Sequence, residues 1–67
     1  MLSLSNITVG DHYYHLAECR YKKYQLVSKP FLVNNSWVWI ATNCATNKTE
    51  EFVITNNEEN FSYFFEA

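Results

Sequence analysis

Apolar residues in the second half of the chain fall into four short runs, FLVNN (31–35), SWVWIATNC (36–44), TEEFVIT (49–55) and NFSYFF (60–65). Each is rich in β-branched and aromatic side chains, which suit a pleated, half-buried surface. Asn34-Asn35, ATNK and NNEEN separate the runs, and asparagine is good turn material because it tolerates left-handed backbone. The pattern predicts an antiparallel meander with tight connections.

Alternation within the runs sorts side chains by face, since residues two apart on a strand point the same way. Trp37 and Trp39 share one side of their strand, and Val38 and Ile40 share the other. In the next run Phe52 and Ile54 oppose Glu51, Val53 and Thr55. Phe52, Ile54, Val38 and Ile40 make a compact core face without an ionisable group. That grouping places Trp37 and Trp39 on the outer face, level with Val53. The opposite assignment, tryptophans in and aliphatics out, stays open. A bare pair of indoles approaches the size of an interaction patch. Its cover is either the closing aromatics Phe61, Tyr63, Phe64 and Phe65 or a second protein. Under both assignments there is more apolar surface than one small barrel hides.

Residues 11–29 admit two readings. As a helix over 11–27, Asp11 is the N-cap, and Tyr13, Leu16, Ala17, Tyr21 (or Arg20) and Tyr24 form one face. Glu18 then precedes Lys22 by four residues, and Pro30 stops the helix. As strands, HYYHLAEC and KKYQLVSKPFLV are joined by a turn near Arg20–Lys22. The density of Tyr, Val, Phe and Ser favours the strands, and PFLV then runs straight into the meander.

Size limits what such a sheet can do. Sixty-seven residues is one domain, 1–67, near the lower limit for folding unaided. Two tryptophans, five tyrosines and five phenylalanines supply buried area from few positions, about 150–250 Å² per ring. The net charge of −2 gives no global basic field for nucleic acid. Its distribution is uneven, because four of the five cations (Arg20, Lys22, Lys23, Lys29) lie between 20 and 29 and five of the seven acids lie at 50 or later. MLSLSNITVGD has no basic n-region and no long apolar run, and no stretch nears the roughly 18 apolar residues of a membrane span. The expectation is a cytoplasmic protein with no membrane partner, Cys19 and Cys44 as reduced thiols, and the N-x-[ST] matches at Asn6, Asn34, Asn47 and Asn60 chemically silent. Abundant Asn, Lys, Tyr, Phe and Ile with scarce Gly, Pro and Ala suits AT-rich coding of the kind common in phage genomes.

In the strand reading, a Gly10-Asp11 entry leads into a long bent strand with Tyr13 and His15, then Tyr24 and Leu26, Trp37, Phe52 and Ile54, and the ending Asn60-Phe61 with Phe64. This arrangement resembles the small Src-homology-3-like β-barrels of bacterial and phage proteins, over most of residues 7–65. The resemblance implies a mainly β, five-stranded antiparallel barrel. The competing fold is α+β, one helix near 11–27 against a three-stranded antiparallel meander. Such barrels host many functions and mostly bind.

Chemistry-bearing residues are sparse. His12, His15, Cys19 and Cys44 supply the count for a zinc site, but there is no C-x-x-C, and on a strand the two histidines point apart; no metal or other cofactor is expected. Cys19 near His15 is too little for a nucleophile with its base and oxyanion hole. The pairs Glu50-Glu51 and Glu58-Glu59 are adjacent, so on a strand they face opposite ways and protect an edge. No enzyme is expected. The sequence favours a protein-binding module, with Trp37, Trp39 and Val53 as contact residues and a host protein or a second copy as partner. A phage accessory protein that modulates a host protein fits this description. The alternative is a small nucleic-acid-binding module on segment 20–29, using Arg20, Tyr21, Lys22, Lys23 and Tyr24, since basic grooves with stacking aromatics hold single strands.

Overall fold

A computed structural model describes residues 2–67 of the chain, with the side chain of Glu58 left aside. The strand reading of the first half holds. The elements run β1 (His12–Ala17), β2 (Arg20–Leu26), β3 (Phe31–Val33), β4 (Ser36–Asn43), β5 (Thr49–Thr55), a four-residue helix α1 (Glu58–Phe61) and β6 (Phe64–Glu66). Asp11 is not a helix N-cap. Its Oδ2 accepts hydrogen bonds from the Thr8 backbone N–H and hydroxyl, both at 2.9 Å, and closes the turn into β1. Those two bonds hold its carboxyl below the usual range.

The strands form one antiparallel sheet that curls into a half-barrel. β6 pairs with β1, β1 with β2, and β2 with the far end of β4. β3 pairs with the near end of the same edge of β4, while β5 runs along its other edge. β2 and β3 are thus two halves of one bent strand, broken at residues 27–30. Pro30 has no N–H to give to a ladder, and at the break the Ser28 hydroxyl accepts from the Ile40 N–H at 2.8 Å. A polar side chain therefore completes the hydrogen bonding where the backbone departs.

The β1–β2 turn lies at Glu18-Cys19, not near Arg20–Lys22. Both residues have positive φ, 52° and 62°, in a two-residue connection between Ala17 and Arg20. This is the left-handed turn that matches strand twist, normally carried by Asn-Gly. Asn34-Asn35 makes the same turn between β3 and β4, as the asparagines predict. NFSYFF is not a single strand. Asn57 caps α1, its Oδ1 accepting from the Glu59 N–H at 2.9 Å, and only Phe64–Glu66 joins the sheet.

The core settles the orientation of β4. Trp39 pairs with Phe52 and Trp37 with Ile54, so these four share the concave side. The expectation that Val38 and Ile40 point inward and both tryptophans outward is overturned. Trp39 is 1% exposed and stacks flat on Phe52, with centroids 5.1 Å apart. Tyr13, Tyr24 and Phe64 pack around this pair. Large rings fill a small half-barrel from few positions, and the indole can be buried because its Nε1–H donates to the Tyr13 hydroxyl at 2.9 Å. Leu2, Leu4 and Ile7 complete the core from the N-terminal segment, which is tied to β6 by the Leu2 N–H donating to the Phe64 carbonyl.

Candidate binding surface

With the aromatic core complete on the concave side, the convex side carries what remains. Its side chains fall into cross-strand rows set by register. Phe31, Val38 and Val53 lie in one row across β3, β4 and β5. Ile40 and Glu51 form the next row, beside Val27, whose N–H donates to the Ile40 carbonyl. Val33 flanks the row on β3. Phe31 is 56% and Val53 59% exposed, Val27 and Val33 are also exposed, and Val38 and Ile40 are half-buried. Singly, exposed aliphatics mean little. Six in adjoining rows on one sheet face form a contiguous apolar patch, of the kind that marks an interaction site.

A polar row crosses the same face. His12, Gln25, Thr42 and Thr49 are successive partners on β1, β2, β4 and β5. Beyond it, towards the Glu18-Cys19 turn, the surface changes character. Phe65, Tyr14 and Lys23 form one row, and Leu16 and Tyr21 the next. The convex face thus has an aliphatic half and an aromatic-basic half.

The expected contact residues are dispersed by this geometry. Val53 stands in the aliphatic patch. Trp39 is in the core and offers no surface. Trp37 is half-buried against the core, and it lines a groove of about 370 Å³ with Leu2, Leu4, Ser5, Asn56 and Phe61. Its Nε1–H donates to Asn56 Oδ1 at 3.4 Å. Of the closing aromatics, Phe64 covers Trp39 from inside the core, 5.4 Å between centroids. The sequence gives Phe31, Val33 and Val27 no contact role, and it places Val38 and Ile40 outside only in the alternative assignment with the tryptophans in. The signal for them was the i, i+2 spacing of Phe31, Val33 and of Val38, Ile40, which alone cannot say which face is inside.

The basic segment also divides. Tyr21 and Lys23 project from the convex face, and Arg20 and Lys22 alternate with them at the exposed end of β2. Tyr24 is not a surface contact. It is buried, stacks on Tyr13 at 5.6 Å, and donates its hydroxyl to the Glu50 carboxylate at 3.1–3.2 Å. Burial, then its bond to Glu50, raises the Tyr24 pKa. The Tyr13 phenol is pushed up strongly by burial.

His15 sits half-buried, stacked on Phe64 at 4.7 Å and edge-on to Phe52 at 5.4 Å. Burial, with Lys22 nearby, lowers its pKa against the opposing pull of Glu50. It is a ring at the edge of the core. His12 lies on the opposite face of β1, and Cys19 and Cys44 are both free and exposed. Among the described residues, no three His, Cys, Asp or Glu side chains gather into a metal-binding group. No described helix is long and apolar enough to cross a membrane.

Comparison with protein-family models, with curated proteins and with solved structures found no match to this chain.

Proposed function

We propose that this protein is a non-enzymatic protein-binding module whose working surface is the convex aliphatic half of its sheet. The observation that carries the reading is the row Phe31–Val38–Val53, extended by Val27, Ile40 and Val33, in which Phe31, Val53, Val27 and Val33 are exposed. The four exposed members lie on the face opposite the aromatic core. An apolar area of this kind on so small a domain gains free energy when a partner covers it. Phe31 stands as the aromatic anchor, and Glu51 and the Asn34-Asn35 turn supply a polar rim, the usual anatomy of an interface. The resemblance to small Src-homology-3-like barrels, which mostly bind, supports the same role, and modulation of a host protein by a phage accessory protein belongs to this proposal.

The experiment is affinity capture from the native host with wild-type protein beside Phe31→Ser and Val53→Asp, followed by calorimetry on the captured protein. Interface energy concentrates in a few anchors, so Phe31→Ser should weaken the complex by at least about 2 kcal/mol. Sedimentation of the free protein reports whether the partner is a second copy. A complex indifferent to both substitutions would overturn the assignment of this face.

A further inference from the structure

Among the described residues β5 pairs only with β4, so its other edge ends the sheet. The direction of its backbone groups follows from the bonds just beyond the β4–β5 ladder. The Asn56 N–H donates to the Asn35 carbonyl and the Asn43 N–H to the Lys48 carbonyl, each at 2.8 Å. Bonded pairs alternate along an antiparallel ladder. Glu50, Phe52 and Ile54 therefore turn their N–H and C=O towards β4, while Thr49, Glu51, Val53 and Thr55 turn theirs outward. The Thr55 carbonyl shows this sense directly, accepting from the Asn57 N–H at 2.7 Å and from the Asn60 side-chain amide at 3.1 Å. Those bonds close the edge at α1 and leave residues 49–54 open. The strand pairs with β4 without a bulge and holds no proline, so it lacks two of the devices that blunt an edge.

We propose that the open edge of β5 takes up an extended antiparallel strand of a partner protein, with cations opposite Glu50 and Glu51 and apolar residues opposite Phe52, Val53 and Ile54. This rests on the protein-binding reading above and names the segment that the partner contributes. Main-chain bonds at Thr49, Glu51 and Val53 supply the attachment, and the side chains on either face supply selectivity. On the convex face the residue opposite Val53 continues the Phe31–Val38–Val53 row by one strand, so edge and aliphatic patch form one surface. Glu50 faces the concave side, where its carboxylate accepts from Tyr24 and Asn43, and it stays exposed beside the exposed Glu51. Charge decides between occupants. A second β5 brings two more carboxylates to this ribbon, and like charges across strands repel. Lys48, just before β5, offsets one glutamate and leaves the segment acidic. A strand with two cations fits it better than a second copy does.

The probe is a labelled, capped hexapeptide that reads three valines, two lysines and threonine, which aligns in antiparallel register with Ile54 back to Thr49. Fluorescence anisotropy reads its binding, and NMR reads amide exchange of the protein. N-methylation of its second and fourth residues removes the N–H groups that face Val53 and Glu51. Binding should then weaken at least about 10-fold, the loss of two net hydrogen bonds. Methylation of the third and fifth residues, whose N–H groups point away, should change it by less than about 2-fold. Saturating peptide should slow exchange of the Glu51 and Val53 amides at least about 10-fold. Glu51→Lys should weaken the lysine peptide about 5-fold and favour a counterpart carrying two glutamates. Phe31→Ser, on β3 beyond β4, should leave peptide binding unchanged. No binding of the unmethylated peptide, or equal losses from the two methylation patterns, overturns the proposal. So does a dimer of the free protein in which the Glu51 and Val53 amides are already protected, since a second copy then holds the edge. If either result comes while Phe31→Ser still abolishes the captured complex, the edge assignment falls and the protein-binding face stands.

Discussion

Removing the Tyr13 hydroxyl tests the arrangement that lets a tryptophan lie in so small a core. Trp39 is 1% exposed, and its Nε1–H donates to Tyr13 Oη at 2.9 Å in a fully buried pair. Tyr13→Phe keeps the ring and its contacts with Tyr24, Trp39, Phe52 and Phe64, but strands the indole donor. A buried donor left without an acceptor costs about 1–3 kcal/mol, a large part of the ~5 kcal/mol at the lower end of domain stabilities. With a urea dependence of about 1 kcal/mol per M for a small domain, a 2 kcal/mol loss lowers the midpoint by about 2 M. Trp39→Phe loses packing against Phe52 but removes the donor as well. In that background the further change Tyr13→Phe should therefore cost less than about 0.5 kcal/mol, because removing both partners of a buried bond is nearly neutral. Urea titration of the four proteins gives the coupling directly, expected at 1–2 kcal/mol. Equal costs of Tyr13→Phe in the two backgrounds would refute the claim that this bond holds the tryptophan inside.

Two further outcomes follow from local geometry. Glu18 and Cys19 occupy left-handed backbone at φ 52° and 62°, which costs an ordinary residue about 1–2 kcal/mol, so Glu18→Asn with Cys19→Gly should raise the urea midpoint by about 1 M; an unchanged or lower midpoint would contradict the turn. Burial lowers the folded-state pKa of His15, so below about pH 6.5 the unfolded chain takes up that proton first. This contribution to stability is complete above pH 6.5 and declines as pH falls towards the folded-state pKa. His15→Phe should lose less stability than wild type between pH 7.5 and 5.5 in the same titration, and parallel losses would sink this reading.

Much of the chain path was legible because local chemistry marks it. Asn34-Asn35 set one hairpin, alternation marked β4 and β5, and Tyr and Val density favoured strands over the helix in the first half. The Glu18-Cys19 turn was illegible because neither residue favours positive φ. It is imposed by the Tyr13–Tyr24 and His15–Lys22 pairing on either side. The face of β4 was undetermined because both of its sides are apolar. What decides it is tertiary: a hydroxyl on β1 that satisfies the indole, and a Phe52 ring in register to stack on it. The core role of Leu2, Leu4 and Ile7 is not legible in the sequence, since three aliphatics in an irregular segment have no strand or helix period. Of the expected contact residues, Val53 is exposed on the outer face, whereas Trp39 is in the core and Trp37 is half-buried against it; in segment 20–29 the cations and Tyr21 are exposed and Tyr24 is in the core.

Adjacent positions on β5 give the sharpest test of an aromatic inside and a free aliphatic outside. Phe52 is 9% and Val53 59% exposed, on opposite faces of one strand. An unpaired charge costs several kcal/mol when buried and little when solvated. Phe52→Asp should therefore abolish cooperative unfolding, whereas Val53→Asp should keep the wild-type urea transition within about 1 kcal/mol and lose the captured protein partner. A folded Phe52→Asp, or a Val53→Asp variant that is unfolded or still binds at wild-type strength, would contradict the account.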